Sequence, residues 1–194
     1  AKAAHDAGKA WVLDPVGLGI GSLRTKLLSE LKPYKPTIVR GNASEIIALA
    51  SLWELLDTED ALDRPRGVDT TDGVDAAREA AVTLARYTGG AVVVSGEVDL
   101  VTDGATVVRS HGGSELMSKI TGCGCSQGGV LAVYATCADA FTAAVAGTSH
   151  YNLAGTRAAA VANAPASFKV AFIDELYRAT GEEIAANPMC VEEA

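Results

Sequence analysis

The chain has 194 residues, 48% hydrophobic and 21% charged, which suits one globular unit with a single core. Its formal net charge is −8 with no basic cluster, which argues against binding a nucleic-acid backbone. No apolar run reaches the roughly 18 residues of a spanning helix, so no membrane segment is expected.

The chain opens at Ala1, without an initiator Met and inside what reads as the end of a helix over 1–8, so an absent N-terminal piece is expected. Residues 10–13, Ala-Trp-Val-Leu, read as a short buried strand that ends in Asp14-Pro15. In open α/β sheets ligands bind beyond the carboxyl ends of strands. Asp14 is therefore placed to hold a magnesium ion, directly or through water. It reads equally well as a turn residue before Pro15. Gly17, Gly19 and Gly21 read as a flexible loop before an amphipathic helix near 22–31.

A second strand is expected over 37–40, Thr-Ile-Val-Arg, followed by Gly41-Asn42-Ala43-Ser44-Glu45 and the apolar run 46–49. Asn42 with Glu45 three residues on is the capping-box pattern, which starts a helix and accounts for Glu45 on its own. The same order places a cation and a carboxylate at the sheet edge of Asp14. A guanidinium such as that of Arg40 binds phosphate oxygens in pairs, and the Glu45 acid can help to position magnesium. Residues 51–72 form a polar, acidic stretch of low periodicity, an excursion rather than a linker. A helix is expected over 71–88, with Ala76, Ala77, Ala80, Ala81, Leu84 and Ala85 inward and Arg78, Glu79 and Arg86 outward.

Residues 91–94 read as a third buried strand, closed by Ser95-Gly96. Ser95 thus reaches the same edge and can donate to a phosphate. Segments 98–102 and 105–109 flank Asp103-Gly104, a two-residue hairpin signal, so the parallel pattern ends in an antiparallel hairpin. Asp99 and Asp103 read as turn residues.

The stretch 120–129, Ile-Thr-Gly-Cys-Gly-Cys-Ser-Gln-Gly-Gly, holds two glycines and two cysteines in its first six positions and precedes an Ala-rich run. It reads as a loop opening a helix near Cys125. The first N–H groups of a helix lack internal partners, and small residues let them approach an anion. The positive end of a helix dipole favours a thiolate, so a thiol there can take a proton or attack. The stretch also reads as a glycine-rich turn with two small buried residues. Further helices are expected over 139–162 and 166–180, with His150 and Tyr151 as packing or surface residues and the acidic tail 187–194 frayed. The four cysteines, Cys123, Cys125, Cys137 and Cys190, show neither a disulfide framework nor zinc spacing, which fits a reducing cytoplasm.

Four pieces are thus expected at one sheet edge: Asp14-Pro-Val-Gly, Arg40-Gly-Asn-Ala-Ser-Glu45, Val94-Ser-Gly-Glu97 and Thr121-Gly-Cys-Gly-Cys125. Their order and spacing resemble the hydroxyethylthiazole kinase family of the ribokinase-like superfamily, from about residue 10 to 177. The second and fourth pieces are the most specific. The resemblance implies an α/β chain: a single three-layer ribokinase-like domain over 1–194, with a mostly parallel central sheet, an antiparallel hairpin and helices on both faces. It implies transfer of the ATP γ-phosphate to 4-methyl-5-(2-hydroxyethyl)thiazole in thiamin salvage, with magnesium.

By that resemblance Arg40 and Ser95 match ATP-binding positions, Ser95 standing where the family usually has Thr. Asp14 and Glu45 match acids around magnesium and the phosphates, and Gly122 matches a glycine whose backbone touches the thiazole. Cys125 matches the catalytic base, where most other kinases of the superfamily carry Asp. The family forms cytoplasmic homotrimers with active sites between subunits, and its N-terminal segment, with the first strands and part of the thiazole pocket, is expected to be missing here. Gly17-Leu-Gly-Ile-Gly21 and Asn163-Ala-Pro-Ala-Ser-Phe168 depart from the family pattern. The alternatives are a kinase for another small vitamin-type alcohol, against which Cys125 argues, and a non-catalytic nucleotide-binding paralogue.

Overall fold

The computed structural model describes residues 1–18, 22–56 and 70–194. Among these residues six strands form one sheet in chain order: β1 (Val12–Leu13), β2 (Ile38–Asn42), β3 (Ala91–Ser95), β4 (Asp99–Thr102), β5 (Thr106–Ser110) and β6 (Met189–Glu193). β1, β2 and β3 run parallel; β4, β5 and β6 continue antiparallel. Ala91–Val94 is buried throughout, the pattern of a strand covered on both faces.

Successive strand residues point to opposite faces, and each face meets its own helices. Helix α1 (Lys2–Asp6) precedes β1; on one face, Val39, Val92 and Val94 pack with Leu28 of α2 (Ser22–Leu31), Ile46 and Leu49 of α3 (Ala43–Leu52) and Leu84 of α5 (Arg78–Thr88). On the other, Ile38, Val93, Val101 and Val108 meet Leu131 of α6 (Cys123–Tyr134) and Ala143 and Ala144 of α7 (Ala140–Val161). The small residues of α7 bring helices close: a Cβ on Gly147 would stand 2.8 Å from Leu131 Cδ2. Phe168 and Phe172 of α8 (Pro165–Arg178) close a smaller cluster with Tyr151 and Cys123. The α/β expectation, with helices on both faces, therefore holds. The parallel half aligns the ends of β1, β2 and β3 at one edge, where Asp14, Asn42 and Ser95 lie.

Several local expectations change. The tail is not frayed: β6 pairs with β5 from Ser110–Met189 to Thr106–Glu193. One of its acids, Glu192, is ion-paired, lying 3.1 Å from Arg78 and 3.0 Å from Arg109. The antiparallel half therefore extends beyond the hairpin. In that hairpin Thr102 pairs with Val107 and β5 begins at Thr106, so the loop spans 103–105 rather than two residues. Asp103 Oδ1 accepts the N–H groups of Ala105 (2.9 Å) and Thr106 (2.7 Å), which stabilises the wider turn.

The helix expected over 71–88 is two, α4 (Thr70–Ala76) and α5. The Ala77 N–H is shared between the carbonyls of Gly73 (3.2 Å) and Val74 (3.1 Å), a tightened turn at the junction. Ala77, Ala80, Ala81, Leu84 and Ala85 are buried as their spacing requires, whereas Ala76 is exposed. β1 is shorter than its apolar run and β2 reaches Asn42. Of the acidic excursion, 57–69 lies outside the described residues, as do Gly19 and Gly21.

Candidate active site

The site is organised around Arg40, which is only 9% exposed in β2. Its Nε donates to Gln127 Oε1 and its Nη2 to Ser95 Oγ, both at 2.9 Å. Its Nη1 lies 3.5 Å from Asp14 Oδ2. Ser95 in turn donates to the Gly41 carbonyl at 3.3 Å. A Cβ on Gly124 would stand 3.0 Å from Nη2, so the first turn of α6 rests directly on the guanidinium. The bonds to Gln127 and Ser95 leave N–H donors over for an anion.

Asp14 follows β1 with one carboxylate oxygen toward Arg40. The other, Oδ1, is buried and has no hydrogen-bond partner among the described residues. Burial pushes the Asp14 carboxyl above its ordinary range; Arg40 opposes this, and the nearby charge of Glu45 adds to it. A buried, unpaired carboxylate oxygen fits a cation. Among the described residues no group of three or more His, Cys, Asp and Glu stands together as a metal cage. A magnesium ion needs no such cage, since one or two carboxylates, water and substrate phosphates suffice to hold it.

Glu45 forms the expected capping box: Asn42 Oδ1 accepts the Glu45 N–H and Glu45 Oε2 accepts the Asn42 N–H, each at 2.9 Å. Its Oε1 accepts the Gly17 N–H at 3.0 Å. Glu45 thereby ties the loop after Asp14 to the start of α3.

The helix expected near Cys125 begins earlier, at Cys123, with Gly122 as its N-cap. Gly122 has φ +85°, and a Cβ there would meet nothing within 4 Å. The requirement for glycine is thus one of backbone conformation. Gly122→Ala is expected to lower the unfolding free energy by about 1–2 kcal/mol, measured by urea denaturation. No change would mean that the helix start re-forms without positive φ.

The two thiols of this turn differ. Cys123 is buried with Sγ 3.6 Å from the Tyr151 hydroxyl, and burial pushes the thiol up. Cys125 is exposed. Tyr151 does pack, edge-on to Phe172, but its hydroxyl also donates to the Cys123 carbonyl and lies 2.7 Å from Ser126 Oγ. It braces the first turn of α6, a role missing from the sequence reading. The available signal was a tyrosine on an Ala- and Gly-rich helix face, since a buried phenol needs a polar partner. Gln127, 2% exposed, was missed as well. His150 is a packing residue as expected: Nδ1 lies 3.0 Å from the Tyr134 hydroxyl and Nε2 2.9 Å from the Leu176 carbonyl.

Asp99 opens β4 rather than lying in the turn expected, but its side chain caps that turn, accepting the Gly96 N–H at 2.8 Å. Its burial was not expected and pushes its carboxyl up to about 6 from 3.8. Such a group binds its proton more tightly folded than unfolded. Its stabilisation is full below about pH 4, falls as the pH rises toward 6 and stays lost above, a change on the order of 3 kcal/mol. Asp99→Asn removes that slope. Its gain in unfolding free energy over the wild type is expected to be larger at pH 8 than at pH 4.5; equal differences would show an undisplaced carboxyl.

The geometry joins Asp14, Arg40, Glu45 and Ser95 in one cluster and rests the turn that carries Gly122 and Cys125 against it. Comparisons with known proteins give the family and the fold. Residues 1–182 match the family model described as the hydroxyethylthiazole kinase family. A protein named hydroxyethylthiazole kinase from Bifidobacterium animalis subsp. lactis (strain AD011) is 48% identical over 191 residues, which cover 94% of this chain and 63% of that protein. The chain thus spans less than two thirds of that relative's length. The solved structure of a hydroxyethylthiazole kinase protein from Pyrococcus horikoshii OT3 superposes with a TM-score of 0.81 at 28% identity, covering 98% of this chain and 68% of that one. A pyridoxal kinase from Staphylococcus aureus, in complex with AMP-PCP and pyridoxal, shares the fold at a TM-score of 0.54 and 20% identity, over 80% of this chain and 57% of its own. The fold is ribokinase-like, and the chain belongs to the hydroxyethylthiazole kinase family.

Proposed function

We propose that this site moves the γ-phosphate of ATP to the hydroxyl of 4-methyl-5-(2-hydroxyethyl)thiazole, in thiamin salvage. The observation that carries the reading is the buried Arg40, fixed by Gln127 and Ser95, with the first turn of α6 against its guanidinium. Phosphoryl transfer is mainly positioning and charge stabilisation, so a preorganised cation and a helix N-terminus do much of it. Arg40 and Ser95 hold phosphate oxygens. Asp14, through its free oxygen, and Glu45 beside it would hold magnesium, which when bound neutralises phosphate charge. Gly122 meets the thiazole through its backbone. Cys125, exposed in the same turn, takes the alcohol proton as general base. The enzyme acts as a cytoplasmic homotrimer, with substrate contacts from two chains at each site.

The test is calorimetric titration of the chain with hydroxyethylthiazole, beside a magnesium-ATP phosphorylation assay. Binding with turnover is the expected result. ATP binding without thiazole binding would make this chain a nucleotide-binding unit whose alcohol site lies elsewhere. Binding of neither would overturn the assignment.

A further inference from the structure

Asp99 is a buried carboxylate that the proposed reaction leaves unused; it is 5% exposed. The register of β3 and β4 pairs Val94 with Leu100, so one further step sets Ser95 opposite Asp99. Asp99 Oδ1 holds the Gly96 N–H at 2.8 Å. On the other side a Cβ at Gly96 would stand 2.3 Å from Val74 Cγ2. The turn that follows Ser95 is thus fixed between a carboxylate and an apolar wall, and Ser95 Oγ stays in line with Arg40. The other elements packed near Asp99 bring Asn152 of α7, Ser110 of β5 and Asn187, which are uncharged and linked to one another: Asn152 Nδ2 donates to Ser110 Oγ at 3.2 Å and Asn187 Nδ2 at 3.5 Å. Of the charged groups, Arg40 acts on the Asp99 carboxyl, drawing it down against burial, and Glu97 stands in the same turn two residues before it.

We propose that Asp99 is a proton-linked positioning residue of the phosphate site: it fixes the Ser95–Gly96 turn and gains a proton from solvent when a polyphosphate docks on Arg40 and Ser95. This rests on the phosphate-binding reading of those two residues. A docked polyphosphate brings negative charge beside a carboxylate already removed from water. It also takes up the guanidinium charge that Asp99 otherwise shares. Both effects favour the neutral acid. The neutral acid keeps a carbonyl oxygen for the Gly96 N–H, so the turn holds while the charge is lost. Burial already places Asp99 at about 6, close enough to neutrality for the gain to register. By linkage, nucleotide binding tightens as the pH falls from 8 toward 6.

The test is isothermal titration with ADP at pH 7 in PIPES and in Tris, whose ionisation enthalpies differ. The wild type is expected to take up a few tenths of a proton per ADP more than Asp99→Asn does. Protonation of ADP itself is common to both proteins, so the difference isolates Asp99. Carbon NMR of the Asp99 carboxyl in the wild type gives a second readout that needs no variant: its titration midpoint moves to higher pH at saturating ADP. Equal proton uptake by both proteins, or an unmoved midpoint, would overturn this proposal and leave the phosphate site standing. Failure of ADP to bind would overturn both.

Discussion

Arg40→Ala is expected to weaken ATP binding by roughly 100-fold or more, because it removes charge-assisted hydrogen bonds worth about 1.5–3 kcal/mol each. The same substitution is expected to cost about 3–5 kcal/mol of stability. It leaves Asp14 without its cation and Gln127 and Ser95 without their donor, and breaking a buried pair leaves an uncompensated charge. A loss of stability alone therefore does not separate a phosphate ligand from a structural strut. Arg40→Lys does. Lysine keeps the positive charge beside Asp14 but lacks the planar fork that reaches Gln127 and Ser95 together. The lysine variant is expected to unfold cooperatively and still to bind ATP about tenfold more weakly, by titration calorimetry. Wild-type ATP affinity with a lowered melting temperature would make Arg40 structural.

Cys125→Ser is expected to lower kcat by about 100-fold or more, the scale of general-base catalysis, with ATP affinity nearly intact. Cys125→Asp is expected to retain activity, since a carboxylate also accepts the alcohol proton. Exposure makes this test clean: a substitution at Cys125 touches no buried packing and is expected to shift stability by less than about 0.5 kcal/mol. Cys123 is the contrasting control, because its thiol is buried against Tyr151. Steady-state kinetics with hydroxyethylthiazole and magnesium-ATP, run beside thermal unfolding, separate the two cysteines. An unchanged kcat in Cys125→Ser would sink the base.

What the sequence determined by itself was local. The capping box of Asn42 and Glu45 formed with both its hydrogen bonds because its partners lie three residues apart. The helix over 22–31, the buried strand from Ala91 and the turn-capping side chains of Asp99 and Asp103 follow from residues adjacent in the chain. The motifs also placed Asp14, Arg40 and Ser95 at one sheet edge, since strand ends in an α/β pattern converge there. Tertiary structure decided the rest. Arg40 finds Ser95 across 55 residues and Gln127 across 87, and no local pattern ranks such partners. The acidic tail became β6 because β5 offered an unpaired edge and Arg78 and Arg109 offered charge. Tyr151 became a brace, and Asp99 became a buried acid, through the elements that cover them. Hydrogen-bonding capacity belongs to the residue, whereas burial, and with it the strength and protonation of each polar contact, belongs to whatever the fold packs on top.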